Sequence, residues 1–126
     1  DNRMQNMCLS ILSLLENQQP DMIVIENTAV LTNAVTQRKL TMILGVVYSY
    51  CIKSNIPLHI LRPSEWRALI SKEKKGRKRN ELKLWSVNKV KELFNISVTD
   101  DESDAILIGK AFLNKIKDEK KENENG

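Results

Sequence analysis

The sequence predicts an α/β protein in which helices flank a parallel sheet. Two short apolar runs, residues 22–25 and residues 57–61, are typical of strands. A long helical pattern over residues 34–54 separates them. A strand, a crossover helix and a second strand in this order form a βαβ unit, whose two strands are parallel.

The elements up to the long helix follow from their local patterns. Apolar residues at helical spacing over residues 3–17 predict a first helix, which ends before Pro20. The run at 22–25 is continuously apolar, as expected for a strand buried on both faces, and Glu26 stands at its carboxyl end. We interpret residues 27–33, which begin and end with Asn, as a loop.

Three more helices are predicted after the second strand. A short helix lies near residues 64–70, a second spans about 80–94, and the last runs from Asp101 to about Ile116. Residues 117–126 are charged and rich in Asn, so we expect a disordered tail. The expected buried face of the last helix consists of Ala105, Ile106, Ile108, Leu113 and Ile116.

Length and composition are those of one soluble domain. The chain has 126 residues, 41% of them hydrophobic, and we assign residues 1–116 to one domain with a single core. No apolar run approaches the roughly 20 residues that cross a bilayer, and no signal-peptide pattern is present, so we expect a cytoplasmic protein with no membrane partner. Cys8 and Cys51 lie in apolar helical patterns and are expected to be reduced core residues.

Two strands are few for so many helices. A strand that is buried on both faces needs neighbours at both of its edges, and the run at 22–25 is typical of a central strand. We therefore expect further strands of this fold to precede residue 1.

Positive charge is concentrated in one stretch of the chain. The formal net charge is +4, and residues 72–83 contain seven Lys or Arg and two Glu, so the remainder is close to neutral. A focused positive charge indicates an anionic partner such as nucleic acid, and a solvated surface is the alternative interpretation.

Three carboxylates occupy positions suited to a metal site. Glu26 ends a strand, and ligands of open α/β sheets bind beyond the carboxyl ends of strands. Asp101 and Asp104 are spaced i, i+3 at the start of the last helix, so both project from one face. Carboxylate oxygens suit Mg²⁺, and a pair of metals about 4 Å apart promotes phosphodiester hydrolysis. The alternative is structural, because acids at a helix start cap it and complement its dipole.

Five blocks of sequence occur in a characteristic order. They are Ile23-Val24-Ile25-Glu26-Asn27, then Leu40 and Gly45, then Pro63-Ser64-Glu65-Trp66-Arg67, then Lys78-Arg79-Asn80-Glu81-Leu82-Lys83, and finally Asp101-Glu102-Ser103-Asp104-Ala105. Together they resemble the RuvC family of Holliday-junction resolvases, most of all its shorter bacteriophage branch, over about residues 4–116. The joint order of the blocks is far more specific than any one of them.

The resemblance implies an RNase H-like α/β fold, with a central mixed sheet flanked by helices and with the N-terminal strands missing from this chain. It implies a homodimer that hydrolyses DNA at branch points with Mg²⁺ or Mn²⁺, in the cytoplasm of a bacterial host if the protein is phage-encoded. Glu26 corresponds to the second catalytic acid of the family, Asp104 to the last, and Asp101 to the neighbouring acid or histidine.

The resemblance also implies roles for the basic residues. Lys83 corresponds to a lysine next to the active site, where a cation offsets phosphate charge in the transition state, and a solvated helix lysine is the alternative. The expected DNA contacts are Lys74, Lys75, Arg77, Lys78, Arg79 and Lys83.

Two departures from the family pattern bear on activity. The family's first aspartate has no counterpart, since Asp1 precedes a helix, so the chain as it stands is expected to bind metal poorly and to cut little DNA. Cellular resolvases carry an aromatic residue three positions after the strand-end glutamate, where this chain has Ala29. Without that wedge we expect a broad preference for branched DNA, including forks and flaps.

The leading prediction is thus a structure-selective DNA endonuclease. The main alternative is a non-catalytic DNA-binding module of the same fold. A third hypothesis is a ribonuclease H or transposase-type nuclease, and residues 63–67 and the paired aspartates argue against it.

Trp66 and Trp85 lie in apolar helical patterns, so we expect core packing and not stacking on bases. His59 lies inside a strand and is expected to be structural.

Overall fold

The computed structural model of the chain describes residues 2–27 and 33–125. This part of the chain contains five helices and two strands, in the predicted order. They are α1 (Asn2–Gln18), β1 (Ile23–Glu26), α2 (Ala34–Ser54), β2 (Leu58–Leu61), α3 (Pro63–Ile70), α4 (Arg79–Phe94) and α5 (Asp100–Asn125).

The helix ends agree with local chemistry. The side chain of Asn33 accepts hydrogen bonds from the amides of Val35 and Thr36, and α2 therefore begins directly after it. Asn55 ends α2 in the left-handed conformation, at a φ of 56°, which asparagine tolerates better than most residues. Pro63 occupies the first position of α3, where its missing N–H costs no helical hydrogen bond.

The two strands pair in parallel. The amide of Ile23 donates a hydrogen bond to the carbonyl of Pro57 at 3.1 Å, and the amide of Asn27 donates one to the carbonyl of Leu61 at 2.8 Å. The pairing therefore advances in the same direction on both strands. This confirms the predicted βαβ unit. The sheet of the described residues has only these two strands, and β1 is half-buried, so neither the central mixed sheet nor complete burial of this strand is shown.

The contacts divide the chain into two compact units, whereas the sequence predicts a single core. The first unit contains α1 and α2, which pack on each other. Within it, the hydroxyl of Tyr50 donates to the carbonyl of Leu15 at 3.1 Å.

Cys51 is buried, as predicted, and burial raises the pKa of its thiol, while Cys8 is half-buried.

The second unit contains α3, α4 and α5 together with residues 24–27 and 60–61. Both α3 and α4 pack on α5. The side chains of Leu61, Trp66, Val90 and Leu107 are almost completely buried in this unit and form its core.

The buried face of α5 differs from the predicted one. Leu107, Ile108, Ala111 and Phe112 are buried, whereas Leu113 is 59% exposed. Of the other predicted positions, only Ile108 is fully buried, Ile106 and Ile116 are half-buried, and Ala105 is exposed. The apolar residues of this helix occur in two continuous runs, 105–108 and 111–113, which extend around the helix. Only the packing of α3 and α4 decides which of them face inward.

The C-terminal segment also differs from its prediction. Residues 117–125 continue α5 as a helix, and residues 117–124 of it are exposed, where the sequence predicts a disordered tail. Lys and Glu are good helix formers, and extending an existing helix avoids the cost of nucleating a new one.

No helix in the described ranges is long and apolar enough to cross a membrane.

Leu107 and Leu113 provide a matched test of this core. Replacement of fully buried Leu107 by Ala should lower the free energy of unfolding by about 2–5 kcal/mol, because it removes packed apolar volume. The same change at exposed Leu113 on the same helix should alter it by less than about 0.5 kcal/mol. Urea denaturation followed by circular dichroism measures both, and equal losses would contradict the observed orientation of α5.

Candidate functional site

Glu26 is held at the end of β1 by a tryptophan from α3. Its carboxylate oxygen Oε2 accepts a hydrogen bond from the indole Nε1 of Trp66 at 3.0 Å. Trp66 is completely buried, which confirms its predicted core position, and Glu26 is half-buried. The strand-end position of Glu26 is also as predicted, whereas its bond to Trp66 was not foreseen.

The start of α5 carries four acids with distinct roles. Glu102 caps the helix, because its Oε1 accepts from the amide of Thr99 at 3.3 Å while the Thr99 hydroxyl accepts from the amide of Glu102 at 3.2 Å. Asp100 pairs with Lys83, whose Nζ lies 3.1 Å from its Oδ2. The interpretation in which acids at the start of α5 have only structural roles therefore applies to Glu102 and Asp100. It leaves Asp101 and Asp104 available for another role.

Asp101 and Asp104 line one cleft together with several cations. The cleft has a volume of about 330 Å³ and is lined by Arg67, Arg77, Arg79, Leu82, Lys83, Asp101 and Asp104. Three of these basic residues come from the predicted DNA-binding set, so the structure brings them to the aspartate pair. Glu26 is not among the lining residues.

One carboxylate oxygen of the aspartate pair has no partner among the described residues. The Oδ1 atom of Asp104 is buried and has no hydrogen-bond partner within the described residues. A buried carboxylate oxygen without a donor is costly, and a hard cation such as Mg²⁺ would satisfy it. No group of three or more His, Cys, Asp or Glu side chains in residues 2–27 and 33–125 is arranged to hold a metal, so the predicted site of Glu26, Asp101 and Asp104 stays a prediction.

Lys83 lies at this cleft but is not bound to its acids. Its ion pair with Asp100 lowers the pKa of the Asp100 carboxyl, chiefly through the hydrogen bond and secondarily through the nearby positive charge. The pairing leaves Lys83 41% exposed, so its ammonium remains accessible to an incoming anion.

The basic segment at 72–83 forms a second hollow, of about 520 Å³, at the start of α4. Gly76 turns the chain there at a φ of 89°, and an added Cβ would clash with the side chain of Glu81. The hollow is lined by Lys74, Lys75, Gly76, Arg77, Lys78 and Glu81. Four of the six predicted DNA contacts therefore surround one concave surface.

The base of the basic segment is anchored by a charged cluster that sequence reasoning missed. Glu73 accepts from the ammonium of Lys89 and from the indole of Trp85, both at 2.8 Å. Trp85 is thus half-buried and hydrogen-bonded, not a simple core residue. These bonds lower the pKa of Glu73, with Lys89 the main cause, and Glu73 and Glu92 raise the pKa of Lys89.

Lys75 differs from the other lysines of the segment. Its ammonium donates to the carbonyls of Ser71 and Glu73 and lies 5.2 Å from the centre of the Trp85 ring. Lys74 and Lys78 are exposed and form no ion pair or side-chain hydrogen bond with the described residues. We therefore expect Lys74 and Lys78 to be more available to DNA than Lys75.

Arg67 is the cleft residue that the predicted site omits. Its guanidinium carbon lies 4.8 Å from the centre of the Trp66 ring, and its buried Nε has no hydrogen-bond partner in the described part of the chain. The sequence signal was the Pro-Ser-Glu-Trp-Arg block itself, in which Arg67 follows Trp66.

His59 is half-buried in β2, in keeping with the structural interpretation. Asp1 and Ala29 lie outside the described residues.

Comparison with known proteins identifies the fold. Two solved structures of RuvC from Thermus thermophilus, one of them in complex with a Holliday junction substrate, match the chain with a TM-score of 0.70. Each is 13% identical to it, and the match covers 92% of this chain and 68% or 69% of the RuvC chain. The chain has a RuvC-like fold. No protein-family model and no curated protein matches the sequence.

The structural match confirms a RuvC-like fold, as expected from the sequence blocks, whereas the expected central mixed sheet is not shown in the described residues. At 13% identity it concerns the fold alone. The bacteriophage branch therefore stays a prediction. The functional argument depends on the site residues, because one fold supports many activities.

The Lys83–Asp100 pair can be tested by titration. Replacement of Lys83 by Gln should raise the pKa of Asp100 towards its ordinary value, because the charge-assisted hydrogen bond and the positive charge are lost. Since the folded-state pKa is lowered, this pair stabilises the protein above the pKa of an unfolded aspartate, and the contribution disappears as pH falls through the folded-state pKa. NMR titration of the carboxyl carbons measures the shift.

Lys91→Gln is the control for that titration, since it removes the same charge from the exposed face of α4. The pKa of Asp100 should stay low in this variant. A return to the ordinary value in both variants would mean that general charge, and not the Lys83 contact, sets the pKa.

Proposed function

We propose that the protein is a metal-dependent endonuclease that selects DNA by its branched structure and cuts Holliday junctions, forks or flaps. The observation that carries this proposal is the cleft in which Asp101 and Asp104 are surrounded by four basic residues. Carboxylates suit a cation and the surrounding arginines and lysine suit phosphate, so the cleft matches both components of phosphodiester cleavage. The RuvC-like fold supports the same interpretation.

The basic residues serve the DNA backbone. Lys74, Lys78, Arg77 and Arg79 surround the two hollows at the start of α4, where phosphates at a branch point would find several cations at once. Contacts of this kind hold the backbone without reading its sequence. Recognition of a branched shape is therefore a better match for this surface than recognition of a sequence.

The acids serve the chemistry. Asp101 and Asp104, with Glu26, would hold Mg²⁺ or Mn²⁺ through carboxylate oxygens, and the unpartnered Oδ1 of Asp104 supports this assignment. The metal would supply an activated water and stabilisation of the leaving oxygen. Lys83, which lines the same cleft and is paired with Asp100, would offset the charge that develops on the phosphate.

Assembly and location belong to the same proposal. We infer a homodimer acting in the cytoplasm, because a four-way junction presents two equivalent strands and a two-fold symmetric protein matches that symmetry. The resemblance of the sequence blocks to RuvC resolvases implies the same symmetric arrangement.

A non-catalytic DNA-binding module is the second candidate. The specific observation in its favour is that Glu26 is bonded to Trp66 and does not line the cleft of the aspartate pair. In that case the basic surface alone would account for the function, and binding would not depend on metal.

Cleavage of labelled four-way, forked and linear DNA by the full-length protein separates the two candidates. Asp104→Asn should slow Mg²⁺- or Mn²⁺-dependent cutting of branched DNA by roughly 100-fold or more, the scale on which loss of one stabilising group slows an enzyme. Asp118→Asn removes an equal charge from the exposed part of α5 and should have no effect. Binding of branched DNA without cutting by any form would support the non-catalytic candidate.

The salt dependence of binding tests the basic segment. Replacing Lys74 and Lys78 by Gln together should make the slope of log affinity against log salt shallower by about 1.8, since each phosphate contact contributes about 0.9. The control is Lys117→Gln with Lys121→Gln, which removes two exposed charges from the end of α5. Fluorescence anisotropy with a labelled junction measures both, and equal changes would show that only overall charge matters.

A further inference from the structure

Trp66 contacts both Glu26 and a residue of the aspartate cleft. Its indole Nε1 donates to Glu26, and its ring face supports the guanidinium of Arg67, which lines the cleft with Asp101 and Asp104. Trp66 is also completely buried, so its ring cannot swing away from either neighbour without disturbing the core of the unit.

The bond fixes the direction of the carboxylate. Oε2 of Glu26 lies 3.0 Å from an N–H whose position is set by a packed ring, and an indole offers only this single donor. A buried N–H that lost its acceptor would be costly, so the protein has reason to keep Glu26 in this orientation. Among the described residues no hydrogen-bond donor reaches the second oxygen, Oε1, which leaves it for another partner.

The chemical type of the donor matters as much as its position. A lysine or arginine in place of the indole would neutralise the carboxylate and compete with any cation for it. A neutral N–H orients the carboxylate and leaves its negative charge in place. Partners of this kind around metal-binding carboxylates keep the ligand oriented, and their loss typically weakens metal affinity about 10- to 100-fold.

We propose that Trp66 is a positioning residue of the nuclease site: it orients Glu26 towards a divalent cation through the indole N–H and holds Arg67 at the cleft through the ring face. This inference rests on the proposed function. It extends that function by assigning to the Pro-Ser-Glu-Trp-Arg block a role in ordering the site, beyond its role in the core.

Trp85 provides a matched control within the chain. It is the only other tryptophan of the sequence, and its indole also donates to a glutamate, Glu73, at 2.8 Å. That bond lies in the cluster that anchors the basic segment. Trp66→Phe and Trp85→Phe therefore remove the same kind of bond from the acid site and from the DNA-binding segment.

The experiment has two readouts, of which the first needs no activity. In ¹⁵N-tryptophan-labelled full-length protein, the indole N–H signals of Trp66 and Trp85 are assigned by the two Phe variants and followed during titration with Mg²⁺. The Trp66 signal should shift saturably while that of Trp85 does not, and the shift should be lost in Glu26→Gln, which keeps Trp66 and the fold.

The second readout is the metal requirement of cutting by the full-length protein. Trp66→Phe should raise the half-saturating Mn²⁺ concentration about 10-fold or more and restore most of the rate at high Mn²⁺. Trp85→Phe should leave this concentration unchanged and weaken junction binding. Thermal unfolding of both variants separates a loss of fold from a loss of positioning.

The outcomes are distinguishable. If the full-length protein cuts branched DNA but Mg²⁺ leaves the Trp66 signal unmoved, or if a folded Trp66→Phe protein needs no more Mn²⁺ than the unaltered one, the positioning role is overturned and the nuclease function stands. If the unaltered protein neither cuts nor responds to Mg²⁺, both proposals are overturned. Should Trp66→Phe fail to fold, Glu26→Gln decides: loss of the Mg²⁺ shift of the Trp66 signal in this variant supports the positioning role, and an unchanged shift overturns it.

Discussion

The face of α5 that carries Ser103, Leu107 and Ala111 is completely buried, because both α3 and α4 pack on it. This packing sets the rotation of α5 about its axis. Once that rotation is set, the i, i+3 pair of Asp101 and Asp104 can project only to one side, where the cations of the cleft lie. The arrangement of the candidate site is therefore a consequence of how three helices fill one core.

The run of acids at the start of α5 shows how neighbouring carboxylates acquire different roles. Glu102 satisfies backbone amides at the helix start, and Asp100 is paired with Lys83. Neither role needs a buried position, and both are met by partners close at hand. Asp104 instead has an oxygen that is buried and unpartnered in the described chain, which is the feature that distinguishes a candidate ligand from a structural acid.

Both tryptophans donate a hydrogen bond to a glutamate, but the two glutamates have different roles. Each indole donates to a glutamate, Trp66 to the acid at the strand end and Trp85 to the acid that anchors the basic segment. In the second case Lys89 shares the same carboxylate oxygen and neutralises it, so that glutamate is structural. For Glu26, the donor is the neutral indole of Trp66, and the carboxylate keeps its negative charge. A ligand for a cation requires that charge.

Local patterns in the sequence determined the order of the helices and strands, the parallel βαβ unit, the position of Glu26 at a strand end and the concentration of positive charge at 72–83. Periodicity and turn residues act over a few neighbours, so they can be read without the fold. The burial of Leu107 in place of Leu113, the continuation of α5 beyond Ile116, and the bonds of Trp66 to Glu26 and of Lys83 to Asp100 were decided only by tertiary structure. The buried face depends on which helices pack against α5, and the bond of Trp66 to Glu26 joins residues far apart in sequence. No local pattern contains either kind of information.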